Sequence, residues 1–136
     1  MDKQFFNDFL YTYGLHDTEI TDIFIEDNKV VFCFGNGVYQ LDSTGRETEL
    51  TVPCKMYVDI YDFNVDSIWE HIQIYKKRKN KIKEVKWEDF VKDLRKNRFE
   101  IYKNWYSPFN NGIKLEIDWY TVTITEVKSV SFIFDK

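Results

Sequence analysis

The side chains best suited to chemistry are few, and they are scattered along the chain. His16 adjoins Asp17, and the second of the two histidines, His71, follows Glu70. An adjacent His and Asp hold a metal only when further ligands converge on them, because such sites take three or four donors. His71 is the one histidine left to join, so His16, Asp17 and His71 are the candidates for a metal-dependent, hydrolase-like centre. A structural role suits the pair better: in a turn ahead of a strand, Asp17 accepts backbone N–H bonds while His16 packs or bonds locally. Glu70-His71 has no second ligand one helical turn away. Asp62-x-Asn64-x-Asp66, with Asp59 nearby, has the opening spacing of an EF-hand loop, but the turn glycine and the closing bidentate glutamate do not follow. Cys33 and Cys54 show neither CxxC spacing nor a neighbouring histidine, and read as reduced, packed thiols. There is no Gly-x-Ser-x-Gly elbow and no glycine loop to cradle a phosphate. No catalytic residue, metal or cofactor is assigned, and the residues favour binding over catalysis.

Charge is distributed more informatively. Residues 1–75 hold four basic and fourteen acidic side chains, whereas residues 76–103 hold twelve basic and five acidic. The run Lys76-Lys77-Arg78-Lys79-Asn80-Lys81 puts five cations in six residues. Such asymmetry marks a surface for a charged partner, or a solvated hairpin matched by the acidic half of the same molecule. The partner-binding candidates are therefore Lys76, Lys77, Arg78, Lys79 and Lys81 on the basic side, and Asp59, Asp62 and Asp66 on the acidic side. With Tyr75, Trp87, Tyr102 and Trp105 in the neighbourhood, segment 76–103 has the parts of a single-stranded nucleic-acid surface. The net charge of −4 disfavours that reading, because the acidic remainder repels a polyanion.

The elements that must position these groups follow from hydrophobic period and turn chemistry. Phe5, Phe6, Phe9, Leu10 and Tyr13 form one stripe of a 3.6-residue period, predicting a short N-terminal helix capped by Asp2 and ended by a left-handed Gly14. Strands are predicted over 20–26 and 29–34, turned by Asp27-Asn28, with the apolar run Val30–Phe34 buried on both faces. Gly35-Asn36-Gly37 and Asp42-Ser43-Thr44-Gly45 are turns, and Pro53 stands at a strand start or edge. Met56, Val58 and Ile60 alternate with polar neighbours as a half-buried strand does. Ser67-Ile68-Trp69-Glu70 reads as a capping box for a turn of helix, followed by a strand from Ile72 that turns at Lys79-Asn80-Lys81. Trp87, Phe90, Val91 and Leu94 at i, i+3, i+4 and i+7 predict a helix near 87–96, with acids in its first turn and bases in its last. Beyond it Phe99, Ile101 and Trp105 share one strand face, Asn111-Gly112 marks a hairpin, and a parity switch near Trp119-Tyr120 requires a bulge or turn.

The 136 residues are 43% hydrophobic, 18% aromatic and 31% charged, and include no alanine. That content excludes disordered and fibrous classes, and no stretch is long and apolar enough to span a membrane. Without a basic leader and apolar core at its start, the chain is expected in the cytoplasm. The segment Tyr13-Gly14-Leu15-His16-Asp17-Thr18-Glu19-Ile20, with the Asn36-Gly37 turn and Gly45-Arg46-Glu47, resembles the opening of small single-domain bacterial proteins. Those carry a Leu-His-Asp-Ser/Thr element ahead of an antiparallel sheet, and some are similar to immunity proteins of polymorphic toxin systems. The resemblance implies an α+β domain that works by binding, with toxin neutralisation as one form of it. The expectation is thus one α+β domain over residues 1–136, mostly antiparallel sheet packed by two helices, that binds a protein partner. A homodimer is a further arrangement that an exposed apolar patch would favour.

Overall fold

A computed structural model describes residues 3–136. The chain is mostly antiparallel sheet with few helices. Its strands are β1 (Tyr13–Gly14), β2 (Glu19–Glu26), β3 (Lys29–Phe34), β4 (Tyr39–Leu41), β5 (Glu47–Leu50), β6 (Cys54–Ile60), β7 (Ile72–Arg78), β8 (Lys81–Glu84), β9 (Phe99–Ser107), β10 (Gly112–Ile117), β11 (Tyr120–Ile124) and β12 (Val127–Phe134). Among the described residues the one α-helix, α1, spans Trp87–Asn97. Nine strands run in the order β12-β6-β3-β2-β9-β10-β11-β7-β8, and β1-β4-β5 make a small separate sheet. Every pairing is antiparallel. The join between β2 and β9 is short, resting on Glu19 opposite Glu100 and Ile20 opposite Phe99.

Local chemistry explains most of these elements. Asp27 and Asn28 both take positive φ, the two-residue turn whose twist suits a hairpin, and Lys79-Asn80 repeats it between β7 and β8. Val30, Val31 and Phe32 are buried because β3 lies between β2 and β6. In β6, Cys54, Met56, Val58 and Ile60 point inward and Lys55 outward, as alternation requires. Asp42 holds its turn by accepting from the N–H of Thr44 (2.8 Å), the Thr44 hydroxyl (2.6 Å) and the N–H of Arg46 (3.0 Å), and these bonds lower its carboxyl pKa. The parity switch is a tight turn at Asp118-Trp119, which leaves Trp119 exposed.

Four expectations need correction. The N-terminal stripe is not a regular α-helix: Lys3–Phe6 is a 3-10 turn and Asp8–Thr12 a π-helical one. Phe6 and Phe9 are buried as the stripe implies, but Phe5 is exposed, and Gly14 pairs in β1 without positive φ. Asp2 lies outside the described residues. The segment packs Phe6 on Tyr106 and Tyr13 on Phe132 and Phe134, with ring centroids 4.6, 4.9 and 5.1 Å apart. The helical turn expected at Ser67–Glu70 forms as a 3-10 turn over Val65–Glu70, but Ser67 does not cap it: Ser67 has φ −140° inside the turn, and the cap is Asn64, whose side chain accepts from Asp66 N–H at 2.8 Å. Trp105 does not share the inward face of Phe99 and Ile101. Opposite β10 the register jumps from Lys103 to Ile101, and this bulge at Tyr102 turns Trp105 outward and Tyr106 inward.

Helix α1 buries Phe90, Val91 and Leu94 in the same cluster that holds the strand interiors. Phe90 meets Tyr120 edge-on at 4.9 Å, and Arg95 bonds the Asp22 carboxylate at 2.7 Å, so the helix reaches from β2 across to β11.

Candidate functional site

The basic run forms the outer hairpin of the sheet, β7 and β8. Ile72 and Ile74 are buried, and Lys76, next on that face, lies 5.3 Å above the Tyr120 ring centre and 3.7 Å from the Asp93 carboxylate. Tyr120 donates its hydroxyl to Asp93, and the Asn97 amide donates to the other carboxylate oxygen at 2.6 Å. Burial alone would raise the Asp93 carboxyl, but the Tyr120 and Asn97 bonds and the Lys76 ammonium outweigh it and hold it below the usual aspartate range. Burial and the facing carboxylate push the Tyr120 phenol up. A carboxyl depressed in the fold contributes stability above its unfolded value of about 4, and loses it as pH falls through the folded value. Asp93→Asn is accordingly less stable than the parent at pH 7, with the difference shrinking below about pH 4, as urea unfolding at pH 7 and pH 3 will read.

Between this hairpin and α1 runs an open groove. Three cavities of about 500, 450 and 730 Å³ lie in series. The first and second share Glu84, Val85 and Lys86, and the second and third share Lys76 and Asp93, so they adjoin along α1, with the Lys76–Asp93 ion pair crossing between the second and third. One wall follows α1 from Trp87 through Asp89 and Asp93 to Asn97, and the other follows the hairpin. Eleven helical residues make that wall about 16 Å long. At one end Val65, Ile68 and Trp69 of the 3-10 turn face Trp87 over Ile72 and Ile74. Trp69 is 64% exposed there, while Trp87 packs partly into the core. At the other end Lys77, Arg78, Lys79 and Arg98 gather with Trp119, itself 63% exposed. Arg98 adopts φ 52° and ψ 128°, a costly combination for a residue with a side chain. Among the described residues, Lys77, Arg78, Lys79, Lys81 and Lys83 have no carboxylate within ion-pair distance, whereas Arg95 and Arg98 are matched by Asp22 and Glu19. The acidic half thus pairs Arg95 and Arg98 and leaves Lys77 to Lys83 of the hairpin cationic.

The remaining sequence candidates are dispersed. His16 is exposed, 3.4 Å from the Asp17 carboxylate and 3.3 Å from that of Glu47. Asp17 takes φ 61° and donates its own N–H to the Ile101 carbonyl; Thr18 N–H closes the turn onto Leu15, so Asp17 is not the acceptor of the turn. His71 is buried with its ring edge toward Phe63, and its Nδ1 is 4.0 Å from Glu126, too far for a hydrogen bond. The structure does not bring His16 and Asp17 together with His71, and among the described residues no three His, Cys, Asp or Glu side chains gather where a metal ion could bind. Asp59 lies within β6, Asp62 sits in a left-handed turn and Asp66 follows the Asn64 cap, and they form no shared metal-binding cluster; of the three, only Asp66 borders the groove. Cys33 and Cys54 are free thiols, and burial pushes Cys54 up to about 11. No described helix is long and apolar enough to cross a membrane.

Sequence reasoning found Lys76 to Lys81 and missed Trp69, Trp119 and Arg98, which complete the groove. The available signal was their polar settings: Asp118-Trp119 and Trp69-Glu70 place large rings beside carboxylates, where a buried ring is unexpected. Compared with protein-family models, curated proteins and solved structures, the chain finds no match.

Proposed function

We propose that this protein is a binding module that takes an extended segment of a partner protein into the groove between α1 and the β7–β8 hairpin. The observation that carries the reading is the row of adjoining cavities along α1, with exposed tryptophans at both ends and Lys77, Arg78 and Lys79 gathered at one. Trp and Arg supply most of the binding energy at protein interfaces, because large flat surfaces desolvate at little entropic cost. A row about 16 Å long spans roughly five residues of extended chain. The arrangement of groups sets a polarity: an apolar anchor between Trp69 and Trp87, and carboxylates toward Lys77, Arg78 and Lys79. Net charge is not the recognition signal here. Local cations on an acidic molecule select an acidic segment while repelling long polyanions. The reading takes residues 1–136 as one α+β domain in which the N-terminal turns and α1 pack against the sheet. With the resemblance to immunity proteins, it makes a toxin inside the bacterial cytoplasm the partner to try first.

The test is calorimetric titration of the purified protein against the products of the genes flanking its own. The expected result is a partner of micromolar or tighter affinity, weakened about tenfold or more by Trp69→Ala and by Arg78→Glu. A partner whose affinity neither change affects overturns the groove as the binding site.

A further inference from the structure

The hairpin offers backbone as well as side chains. β8 is outermost in the nine-strand order, and all four of its residues are exposed. The two-residue turn at Lys79-Asn80 fixes which groups face β7. Arg78 and Lys81 flank that turn as a bonded pair, which makes Lys76 and Lys83 the next bonded pair and leaves Ile82 and Glu84 between them. The Val85 N–H donating to the Ile74 carbonyl at 2.8 Å keeps the same phase. The N–H and C=O of Ile82 and Glu84 therefore point away from the sheet, two donors and two acceptors along one open edge. Lys81 and Lys83 stand opposite Arg78 and Lys76, and Lys83 lines the groove with Asp89 and Tyr120.

The charges decide what can occupy this edge. Two copies joined through β8 by a two-fold axis must place residues of equal parity opposite one another. Registers centred on Ile82 or Lys83 then set lysine against lysine at cross-strand distance, and one centred on Glu84 sets carboxylate against carboxylate. Self-pairing is thereby penalised. A strand with carboxylates two residues apart meets Lys81 and Lys83 with opposite charge, and neither lysine has a carboxylate within ion-pair distance among the described residues. We propose that the free edge of β8 accepts an antiparallel strand from the partner segment, one carrying carboxylates where it faces Lys81 and Lys83. The proposal rests on the groove reading, since the added strand extends the hairpin wall and turns alternate side chains to the groove side.

The probe is a fluorescein-labelled peptide, Thr-Val-Glu-Val-Glu-Val-Thr, with a copy N-methylated at alternate residues and an oligothymidylate as comparisons. Ile82→Pro removes an outward N–H and leaves the rungs to β7 intact. The expected result is saturable binding, weakened about tenfold or more by Ile82→Pro, by N-methylation and by Lys81→Glu with Lys83→Glu. Hydrogen exchange at the Ile82 and Glu84 amides of the unmodified protein slows about tenfold or more when peptide is bound, a readout that needs no variant to fold. Absence of peptide binding, or bound peptide with unchanged exchange at both amides, overturns strand addition. Equal binding of oligothymidylate, or self-association abolished by Ile82→Pro, overturns it in favour of a polyanion surface or a dimer edge. If Trp69→Ala weakens the peptide while Ile82→Pro does not, strand addition fails and the groove reading stands; if neither does, both fail.

Discussion

Phe90→Ala lowers the stability of the protein by about 3–5 kcal/mol, the largest loss expected from any single truncation along α1. The ring is fully buried, meets Tyr120 edge-on with centroids 4.9 Å apart, and Tyr120 leans in turn on Phe99 at 5.4 Å. Removing it forfeits the transfer energy of a large ring and leaves a cavity that the sheet, fixed on both sides, cannot close. For a chain of this length the melting temperature drops by roughly 10–20 °C. Urea unfolding reads the effect as a shifted midpoint with unchanged slope. Because α1 is one wall of the groove, Phe90→Ala also weakens partner binding beyond what Phe90→Leu does, since leucine keeps most of the volume. A loss below about 1 kcal/mol would show that the helix is not seated as described.

Gly37→Ala is the second large effect, on the order of 3–4 kcal/mol. Gly37 has φ +79°, and a Cβ there would stand 2.2 Å from the Thr51 carbonyl oxygen. Thr51 cannot retreat cheaply, because its N–H donates to the Val38 carbonyl at 2.8 Å and its hydroxyl accepts from Val38 N–H at 3.0 Å. Positive φ alone costs a β-carbon about 1–2 kcal/mol, and losing these two bonds costs about 1 kcal/mol each. Gly45 supplies the control: its φ is +83°, yet a Cβ there would meet nothing within 4 Å. Gly45→Ala is expected to cost only the conformational part, about 1 kcal/mol. Equal losses at the two glycines, measured by denaturant unfolding, would refute the clash.

The same contrast between local and distant causes explains what could be read from the sequence. Asp27-Asn28 announces its hairpin because positive φ at both residues is a local requirement that Asn and Asp meet at low cost, and Asn80 signals the second turn although Lys79 shares its positive φ. Trp87, Phe90, Val91 and Leu94 announce α1 because their spacing needs only one flat surface beneath the helix. Trp105 was not legible, since the bulge at Tyr102 that reverses its face exists only in the pairing with β10. The Ser67 box failed for a similar reason. Asn64 reaches the Asp66 N–H first and winds a 3-10 turn in its place. At the groove, the cations were visible as a run. Trp69, Trp87 and Trp119 come to line one row of cavities only through the pairing of β7 with β11, which lies in no local pattern. His16, Asp17 and His71 drew notice through residue type alone, and type does not encode convergence.

The position of β12 at one end of the strand order has a bearing on how the molecule is made. β12 pairs with β6, and β6 is complete well before β10, β11 and β12 are translated. Throughout that interval a nascent chain presents Cys54, Met56, Val58 and Ile60 along a strand that lacks one of its two neighbours. Exposed apolar surface and unpaired strand edges of this kind are what chaperones shield. The protein is therefore expected to depend on them during synthesis, and to release them only when Val127–Phe134 has emerged and annealed.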